Sequence, residues 1–385
     1  MNKDLKIGFT TGSCAAAASK AAVYMLLTGL TKNEISIETP AGIMFDAEIL
    51  DISRTADSVS CAVRKDGGSD PDITSGALIY SKVTAISEYG SEINVKSDSG
   101  CKYEIRIDGG EGVGRVTKPG LDRPVGDAAI NSVPRSMIAK EVSEVLELLD
   151  YEGTIDILIS VPGGELIAEQ TFNPRLGIVG GISILGTSGI VEPMSTGALL
   201  DTIKVELNQK KALNMNIIPM SPGNYGLEFM KKAYDFDLDV SVKCSNFIGD
   251  SIDMAAELGI KNILLTGHIG KLIKVSGGIM NTHSKEGDCR MELICAAALK
   301  NGAGVEILSS VMDCVSTEAA LAVLATDKEL FDNSMQYICD RVMYFLNKRA
   351  NNRLHIECMI YSNDFGLLCK SSRAEEFIEI IKKDL

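Results

Sequence analysis

The chain has 385 residues, of which 45% are apolar and 23% charged, so it is long enough to form two cores of a globular protein. Its net charge of −14 argues against a nucleic-acid partner, because nucleic-acid-binding proteins present a basic surface. No apolar stretch is long enough to span a bilayer and no secretory signal is recognisable, so we expect a cytoplasmic protein with no membrane partner. The ten cysteines include no C-x-x-C pair, which predicts free thiols and no protein-bound metal.

Residues 1–174 predict a mixed α+β domain with a largely antiparallel sheet. A helix is expected over residues 13–27, capped by Ser13 or Thr11, and a second helix over residues 134–149. Short strand patterns separated by turn residues favour antiparallel pairing. These patterns cover residues 35–39, 44–52, 58–63, 77–87, 93–97, 103–107 and 154–161.

Residues 175–385 predict a Rossmann-like domain with a mostly parallel sheet, because strand patterns alternate with helical ones. The predicted strands cover residues 182–185, 216–220, 240–243 and 263–266. The predicted helices cover residues 193–207, 227–234, 247–258 and 290–299. A helix over 330–348, a strand over 354–361 and a last helix from about residue 374 form a C-terminal extension. The predicted fold class is therefore α/β with two domains.

A glycine-rich loop between the predicted strand at 182–185 and the helix after it is the best candidate for a cofactor site. Ligands of open α/β sheets bind at the carboxyl ends of the strands, and free amides at a helix start accept anions. The loop after the next strand adds one polar amide, but no acidic residue ends that strand as an NAD site would require. The residues expected to bind a cofactor are Gly186, Thr187, Ser188, Gly189 and Asn224.

Basic side chains beside glycine-rich turns are candidates for binding an anionic ligand. Arg115 and Lys118 follow the glycines of GGEGVGRVTKPG, in a stretch where basic residues outnumber acidic ones. Lys271 and Lys274 lie just beyond the strand predicted at 263–266. Arginine and lysine bind carboxylates and phosphates, and an ordinary solvated surface charge is the alternative interpretation.

Two of the three histidines lie in polar turns bounded by glycine. His268 ends a predicted strand, and His283 lies in the segment GGIMNTHS. An imidazole in such a position is suited to acid, base or donor chemistry, so these are the candidate catalytic residues. A capping or packing role is the alternative, and two histidines without nearby cysteines make a weak case for a metal site.

The N-terminal segment GFTTGSCAAAASKAA places three hydroxyl side chains at the start of a helix. Thr10, Thr11 and Ser13, with the free amides of the first turn, can form an anion site, or they can simply cap the helix. The alanines let the helix lie close to a sheet. Cys14 has no histidine nearby in the sequence, so it is not expected to be a nucleophile.

Long blocks of this sequence together resemble the CbiD family, the cobalt-precorrin-5B (C1)-methyltransferases. They occur in the family's order over residues 8–284, and the segment after residue 284 contributes little to the resemblance. The blocks are GFTTGSCAAAASKAA, DGGSDPDIT, GGEGVGRVTKPGLDRPVGDAAINSVPRSMI, NPRLGIVGGISILGTSGIVEPMS, SNFIGD and GHIGKLIKVSGGIMNTHS.

The resemblance implies transfer of a methyl group from S-adenosylmethionine to C1 of cobalt-precorrin-5B, which gives cobalt-precorrin-6A in anaerobic cobalamin biosynthesis. Cobalt then belongs to the substrate. The resemblance supplies no set of catalytic residues, so the assignments rest on the patterns above. The loop at 186–189 and Asn224 are expected to hold the methyl donor. The residues expected to bind the carboxylates of the substrate, in a cleft between the domains, are Thr10, Thr11, Ser13, Arg115, Lys118, Lys271 and Lys274.

Two other functions are compatible with the same patterns. A small-molecule kinase or synthase would use the glycine loop beside Arg115 and Lys118 to cradle phosphates. A non-catalytic tetrapyrrole-binding protein would share the basic pocket but would need no donor site. The sequence leaves open whether the chain forms a homo-oligomer.

Overall fold

The computed structural model describes residues 5–86, 102–193, 195–223 and 227–384. The strand predicted at 93–97 and the candidate Asn224 lie outside the described residues. Contacts divide the chain into a first unit, Met1–Ser195, and a second unit, Thr196–Leu385. Each unit has its own sheet, so the protein is a mixed α/β protein with two sheet-containing regions.

The first unit combines many short strands with two long helices. Its helices are α1 (Thr11–Thr28), α2 (Ser132–Leu148), α3 (Gly164–Ala168) and α4 (Asn173–Leu176). Its strands are β1 (Gly8–Phe9), β2 (Glu34–Glu38), β3 (Met44–Glu48), β4 (Leu50–Arg54), β5 (Ser58–Arg64), β6 (Leu78–Ile86), β7 (Tyr103–Gly109), β8 (Gly112–Val113), β9 (Arg115–Val116), β10 (Gly153–Ser160), β11 (Ile178–Val179), β12 (Gly181–Ile182) and β13 (Ile190–Val191).

The main sheet of the first unit has the order β4-β5-β6-β10-β7. All neighbours in it pair antiparallel except β10 and β7, which are parallel. Helix α1 packs on strands β5 and β6 and against α2. Its residues Ala15–Ala18 are fully buried, because side chains of one methyl group let a helix lie close to its neighbours.

Residues 175–191 belong to the first unit, although the predicted domain boundary lies at 174/175. Strand β11 pairs with β9, β12 with β8, and β13 with β1. The prediction that residues 182–185 form a strand of the second sheet is therefore wrong. Their buried apolar pattern comes from packing between short strands of the first unit, and apolar periodicity does not identify the partner strand.

The second unit has a sheet with the order β15-β14-β16-β17-β18. The first four strands are parallel, and β18 pairs antiparallel with β17 at the edge. The strands are β14 (Ile218–Ser221), β15 (Val242–Lys243), β16 (Asn262–His268), β17 (His355–Ser362) and β18 (Gly366–Lys370). Strand β16 is almost wholly buried, as expected for a central strand covered on both faces.

The helices of the second unit connect and cover this sheet. They are α5 (Thr196–Ala212), α6 (Leu227–Tyr234), α7 (Ile248–Glu257), α8 (Ile269–Ser276), α9 (Arg290–Lys300), α10 (Val305–Met312), α11 (Thr317–Leu324), α12 (Lys328–Ala350) and α13 (Ala374–Asp384), with a short 3₁₀ helix at Leu238–Val240. Helices α8, α10 and α11 and strand β18 are absent from the sequence prediction. Within the described ranges, no helix combines the length and the apolar character needed to cross a membrane.

Candidate functional site

The N-terminal segment caps α1 and holds the loop that follows β12. Thr10 Oγ1 accepts a hydrogen bond from the Ser13 amide, and Ser13 Oγ donates to the Gly189 carbonyl at 2.6 Å. Thr11 Oγ1 bonds both the amide and the carbonyl of Leu185, at 3.0 and 3.2 Å. Thr10, Thr11 and Ser13 are all buried. The hydrogen bonds of these hydroxyls are those of a helix cap tied to a loop, which favours the structural alternative over a carboxylate site.

The glycines of that loop are explained by backbone geometry and close packing. Gly186 has φ +137°, and a Cβ atom there would lie 2.3 Å from Thr10 Oγ1. Gly189 has φ +78°, a conformation that side chains other than glycine rarely adopt. The Ser188 hydroxyl donates to a backbone carbonyl two residues on, whereas Thr187 is exposed. The loop therefore packs on the start of α1 in the first unit. It does not follow a strand of the second sheet, as the prediction of a cofactor loop had assumed.

The basic residues after β8 differ in their pairing. Arg115 forms a bidentate ion pair with Asp108, at 2.8 and 2.9 Å, and also donates to the Gly109 carbonyl. Lys118 is exposed, and its Nζ lies 3.5 Å from the Arg175 carbonyl. The charge of Arg115 is therefore already compensated, whereas Lys118 remains accessible to an anion. This geometry does not favour a phosphate-cradling kinase site.

The second unit contains a crevice of about 260 Å³ at the carboxyl ends of β14, β16 and β17. The chain passes from β14 to its neighbour β15 on one side, and then to β16 on the other side. The crevice therefore lies at the point where the strand order reverses, which is where open α/β sheets bind ligands. Its lining residues are Pro222, Gly223, His268, Gly270, Lys271, Arg290, Thr317, Tyr361 and Asn363.

His268 is held by hydrogen bonds at both ring nitrogens. Its Nδ1 accepts from the Gly270 amide at 3.1 Å and so caps α8, which assigns the ring proton to Nε2. Nε2 then donates to Glu318 Oε1 at 3.0 Å, and Glu318 Oε2 accepts from the Ser362 hydroxyl at 2.6 Å. This network links β16, α11 and the end of β17. A ring fixed in this way is suited to holding the surrounding elements in place, and less suited to removing a proton from a ligand.

Lys271 lies in the crevice as a half-buried cation. Its Nζ donates to the carbonyls of Pro222 at 2.6 Å and Ser245 at 3.3 Å. Burial lowers the pKa of Lys271, because a low-dielectric environment disfavours the charged amine. The other cation in the lining, Arg290, forms a bidentate ion pair with Asp288. The two cations of the crevice therefore differ in whether a carboxylate neutralises them.

Two other predicted site residues do not line the crevice. Lys274 is buried, donates to the Thr282 carbonyl at 3.2 Å and lies 3.8 Å from Asp288. His283 is exposed in a turn, where its Nδ1 accepts from the Lys285 amide at 3.2 Å. Lys274 thus supports the segment after α8, and the structure brings only His268 and Lys271 of the four predicted residues together in the lining of this crevice.

The sequence analysis missed Glu318 and Tyr361, along with other lining residues such as Arg290, Thr317 and Asn363. Glu318 orients His268, and Tyr361 lines the crevice while only 1% exposed. Tyr361 ends the apolar strand pattern predicted at 354–361, so a polar aromatic residue at the carboxyl end of a strand was the available signal. Glu318 offered no such signal, because α11 was not predicted. No group of three or more histidine, cysteine or acidic residues able to hold a metal occurs among the described residues.

The fold and the site define a two-unit α/β protein whose second unit has a crevice at the switch point of a mostly parallel sheet. The CbiD family model matches residues 1–193, and the model of the CbiD C-terminal domain matches residues 281–372. The chain belongs to the CbiD family.

Three relatives named "Cobalt-precorrin-5B C(1)-methyltransferase" match nearly the whole chain. The protein of Ruminiclostridium cellulolyticum is 46% identical, over 94% of this chain and 90% of its own length. Those of Thermoanaerobacter sp. and Alkaliphilus metalliredigens are 44% and 41% identical, over 97% and 99% of this chain and 98% and 96% of their own lengths. A crystal structure of a cobalamin biosynthesis protein (cbiD) from Archaeoglobus fulgidus is 24% identical, with a TM-score of 0.37, and the match covers 73% of this chain and 83% of that one.

Proposed function

We propose that this protein transfers a methyl group from S-adenosylmethionine to C1 of cobalt-precorrin-5B, giving cobalt-precorrin-6A in anaerobic cobalamin biosynthesis. The observation that carries the proposal is its similarity, over nearly the full length, to relatives named for this methyl transfer. The cobalt enters with the corrinoid substrate. A cytoplasmic location and the oligomeric state remain predictions from the sequence.

The second unit is our candidate for the site of the methyl donor. Numbered within the unit, its strands have the order 2-1-3-4-5, which is a common order of doubly wound α/β folds, so we infer a Rossmann-like unit. The crevice at its switch point fits a small charged ligand, because it combines the half-buried cation Lys271 with the buried aromatic residue Tyr361. Lys118 in the first unit remains our candidate for a carboxylate arm of the corrinoid.

When bound, S-adenosylmethionine supplies an electrophilic methyl group: the sulfur–methyl bond breaks, a carbon–carbon bond forms at C1, and the sulfur keeps the electron pair. The protein's task is then to bind and orient the two reactants, which can account for a large part of a rate enhancement. His268 serves this task by fixing the start of α8 and the end of β17 through Glu318. No proton transfer by His268 is required.

The proposed function is tested by incubating the full chain with cobalt-precorrin-5B and S-adenosylmethionine carrying a ¹³C-labelled methyl group. We expect the corrinoid to gain the mass of one labelled methyl group, with the label at C1 in the NMR spectrum. A reaction without the donor serves as the control. A corrinoid that gains no methyl group, or gains it at another carbon, would overturn the proposal.

A further inference from the structure

The charge of Lys271 is not compensated by any acidic side chain in the described part of the chain. Its Nζ is held by two backbone carbonyls. The neighbouring Cys244 is fully buried, and burial raises the pKa of its thiol to about 12, so the sulfur is neutral at physiological pH. The charge of Arg290, on another part of the lining, is balanced by Asp288. Lys271 is therefore the cation that an anion entering the crevice would neutralise.

A half-buried ammonium group without a carboxylate partner is costly in free energy. Burial lowers the pKa of Lys271, and the positive charge of Lys274 acts in the same direction. A charged group removed from water is costly unless it is paired, and a hydrogen bond between two charged groups is stronger than one between neutral groups. An anionic ligand would therefore gain more from Lys271 than from an exposed lysine.

Tyr361 provides a second, independent polar group in the same lining. It is 1% exposed, and within the described ranges no residue hydrogen-bonds its hydroxyl. Its ring is fixed by stacking on Phe229, with 5.6 Å between ring centroids, and by an edge contact with His268 at 5.8 Å. Buried tyrosine hydroxyls usually have a hydrogen-bond partner, so this one is available to a ligand.

One backbone amide at the start of α8 is already engaged by a side chain. The Gly270 amide, which would otherwise point towards a ligand, donates to His268 Nδ1. Of the two cationic side chains in the lining, Lys271 and Arg290, Lys271 is the one without a carboxylate partner among the described residues.

We propose that the crevice of the second unit binds a carboxylate, with Lys271 Nζ as its counter-ion and the Tyr361 hydroxyl as a second donor. The identity of the ligand rests on the proposed function, which offers two sources of a carboxylate: the methionine portion of the methyl donor, and an acetate or propionate arm of the corrinoid. A crevice of about 260 Å³ at a switch point favours the donor, because a corrin macrocycle is too large to enter it.

The test compares two ligands that differ in the amino-acid portion. S-adenosylhomocysteine carries the carboxylate, whereas 5′-methylthioadenosine lacks it. Calorimetric titration of the wild type and Lys271→Gln is expected to show a loss of S-adenosylhomocysteine affinity of about tenfold to a hundredfold, as for a lost hydrogen bond between charged groups. The affinity for 5′-methylthioadenosine should stay within about twofold, because that ligand makes no contact with Lys271.

Three further measurements separate this role from a structural one. Lys271→Arg keeps the charge, so it should retain more S-adenosylhomocysteine affinity than Lys271→Gln. Lys300→Gln removes an exposed lysine at the end of α9 and should bind like the wild type. The melting temperature of Lys271→Gln, which loses the hydrogen bonds to Pro222 and Ser245, shows whether the variant is folded at the temperature of the titration.

The outcomes distinguish the two proposals. An unchanged affinity for S-adenosylhomocysteine with a raised KM for the corrinoid would support the carboxylate site and assign it to a substrate arm. If Lys271→Gln changes neither quantity, the carboxylate site is refuted, even when the wild type transfers methyl groups. A wild type that binds S-adenosylhomocysteine through Lys271 but transfers no methyl group would refute the proposed function alone.

Discussion

Gly186 shows how a single residue fixes the contact between the start of α1 and the loop after β12. Its φ of +137° lies in a region that is almost closed to other residues, and an added Cβ would lie 2.3 Å from Thr10 Oγ1. We therefore expect Gly186→Ala to lower the free energy of unfolding by about 3 kcal/mol, from backbone strain and steric overlap together.

Gly42→Ala is the matched control for this prediction. Gly42 has φ +74°, but a Cβ there would meet no atom within 4 Å, so only strain of about 1 kcal/mol is expected. Urea denaturation followed by circular dichroism measures both variants. Equal losses in the two variants would contradict the inferred overlap with Thr10.

The ion pair between Lys65 and Asp72 makes the first unit sensitive to acid. Lys65 is buried, and its Nζ lies 2.5 Å from Asp72 Oδ2. Burial opposes ionisation of Asp72, but hydrogen bonds from Lys65 and Thr74 outweigh it and lower the pKa of Asp72. Since the folded pKa lies below the unfolded value, the stabilisation is complete above about pH 4 and is lost as the pH falls through the folded pKa.

The variant Asp72→Asn tests this contribution. It leaves the buried ammonium group of Lys65 unpaired, so we expect a loss of about 3 kcal/mol in the free energy of unfolding at pH 7. The difference from the wild type should shrink as the pH is lowered towards the folded pKa of Asp72. Asp46→Asn, which changes an exposed carboxylate of β3, serves as the control. A difference that is independent of pH would argue against the pair.

At the scale of elements, the cap of α1 joins a helix start to a loop far along the chain. Thr11 Oγ1 bonds both backbone groups of Leu185. Thr11→Val removes these bonds at nearly constant volume, so we expect a loss of about 2 kcal/mol in the free energy of unfolding. The affinity of the folded variant for the corrinoid should be unchanged. A weaker affinity at unchanged stability would restore the interpretation of this segment as a substrate site.

Local signals were sufficient to predict the long elements but not the partners of the short ones. The helix at the N-terminus was predicted from hydroxyl residues and alanines that act within one turn, and the structure places it at Thr11–Thr28. Strand β12 has two residues and pairs with β8, and a pairing between distant short segments leaves no local pattern. The residues of the ligand site likewise include some that local patterns predict and some that they do not. Lys271 was predicted from its place after a strand, whereas Glu318 reaches His268 only through the tertiary fold.

At the scale of the whole molecule, each unit has its own core. The cores of the first unit are formed by residues 14–184, and those of the second by residues 203–381. Cys14 is fully buried in the first unit and Cys244 in the second. Burial raises the pKa of each thiol to about 12, so neither reacts with a thiol reagent until its unit opens. The two cysteines thus report separately on the opening of the two units.

This separation allows the donor site to be located in the intact chain. A ligand that binds only the folded second unit reduces the population of its open form by a factor of about 100 at 100 times the Kd. We therefore expect saturating S-adenosylhomocysteine, in mild denaturant, to slow the labelling of Cys244 by about that factor and to leave Cys14 unchanged, as read by mass spectrometry of peptides. Labelling of a small free thiol in the same mixtures controls for the reagent. Protection of Cys14 alone would instead place the donor in the first unit, which in the structure contains the loop Gly186–Gly189. Equal protection of both thiols would mean that the two units open in one cooperative step.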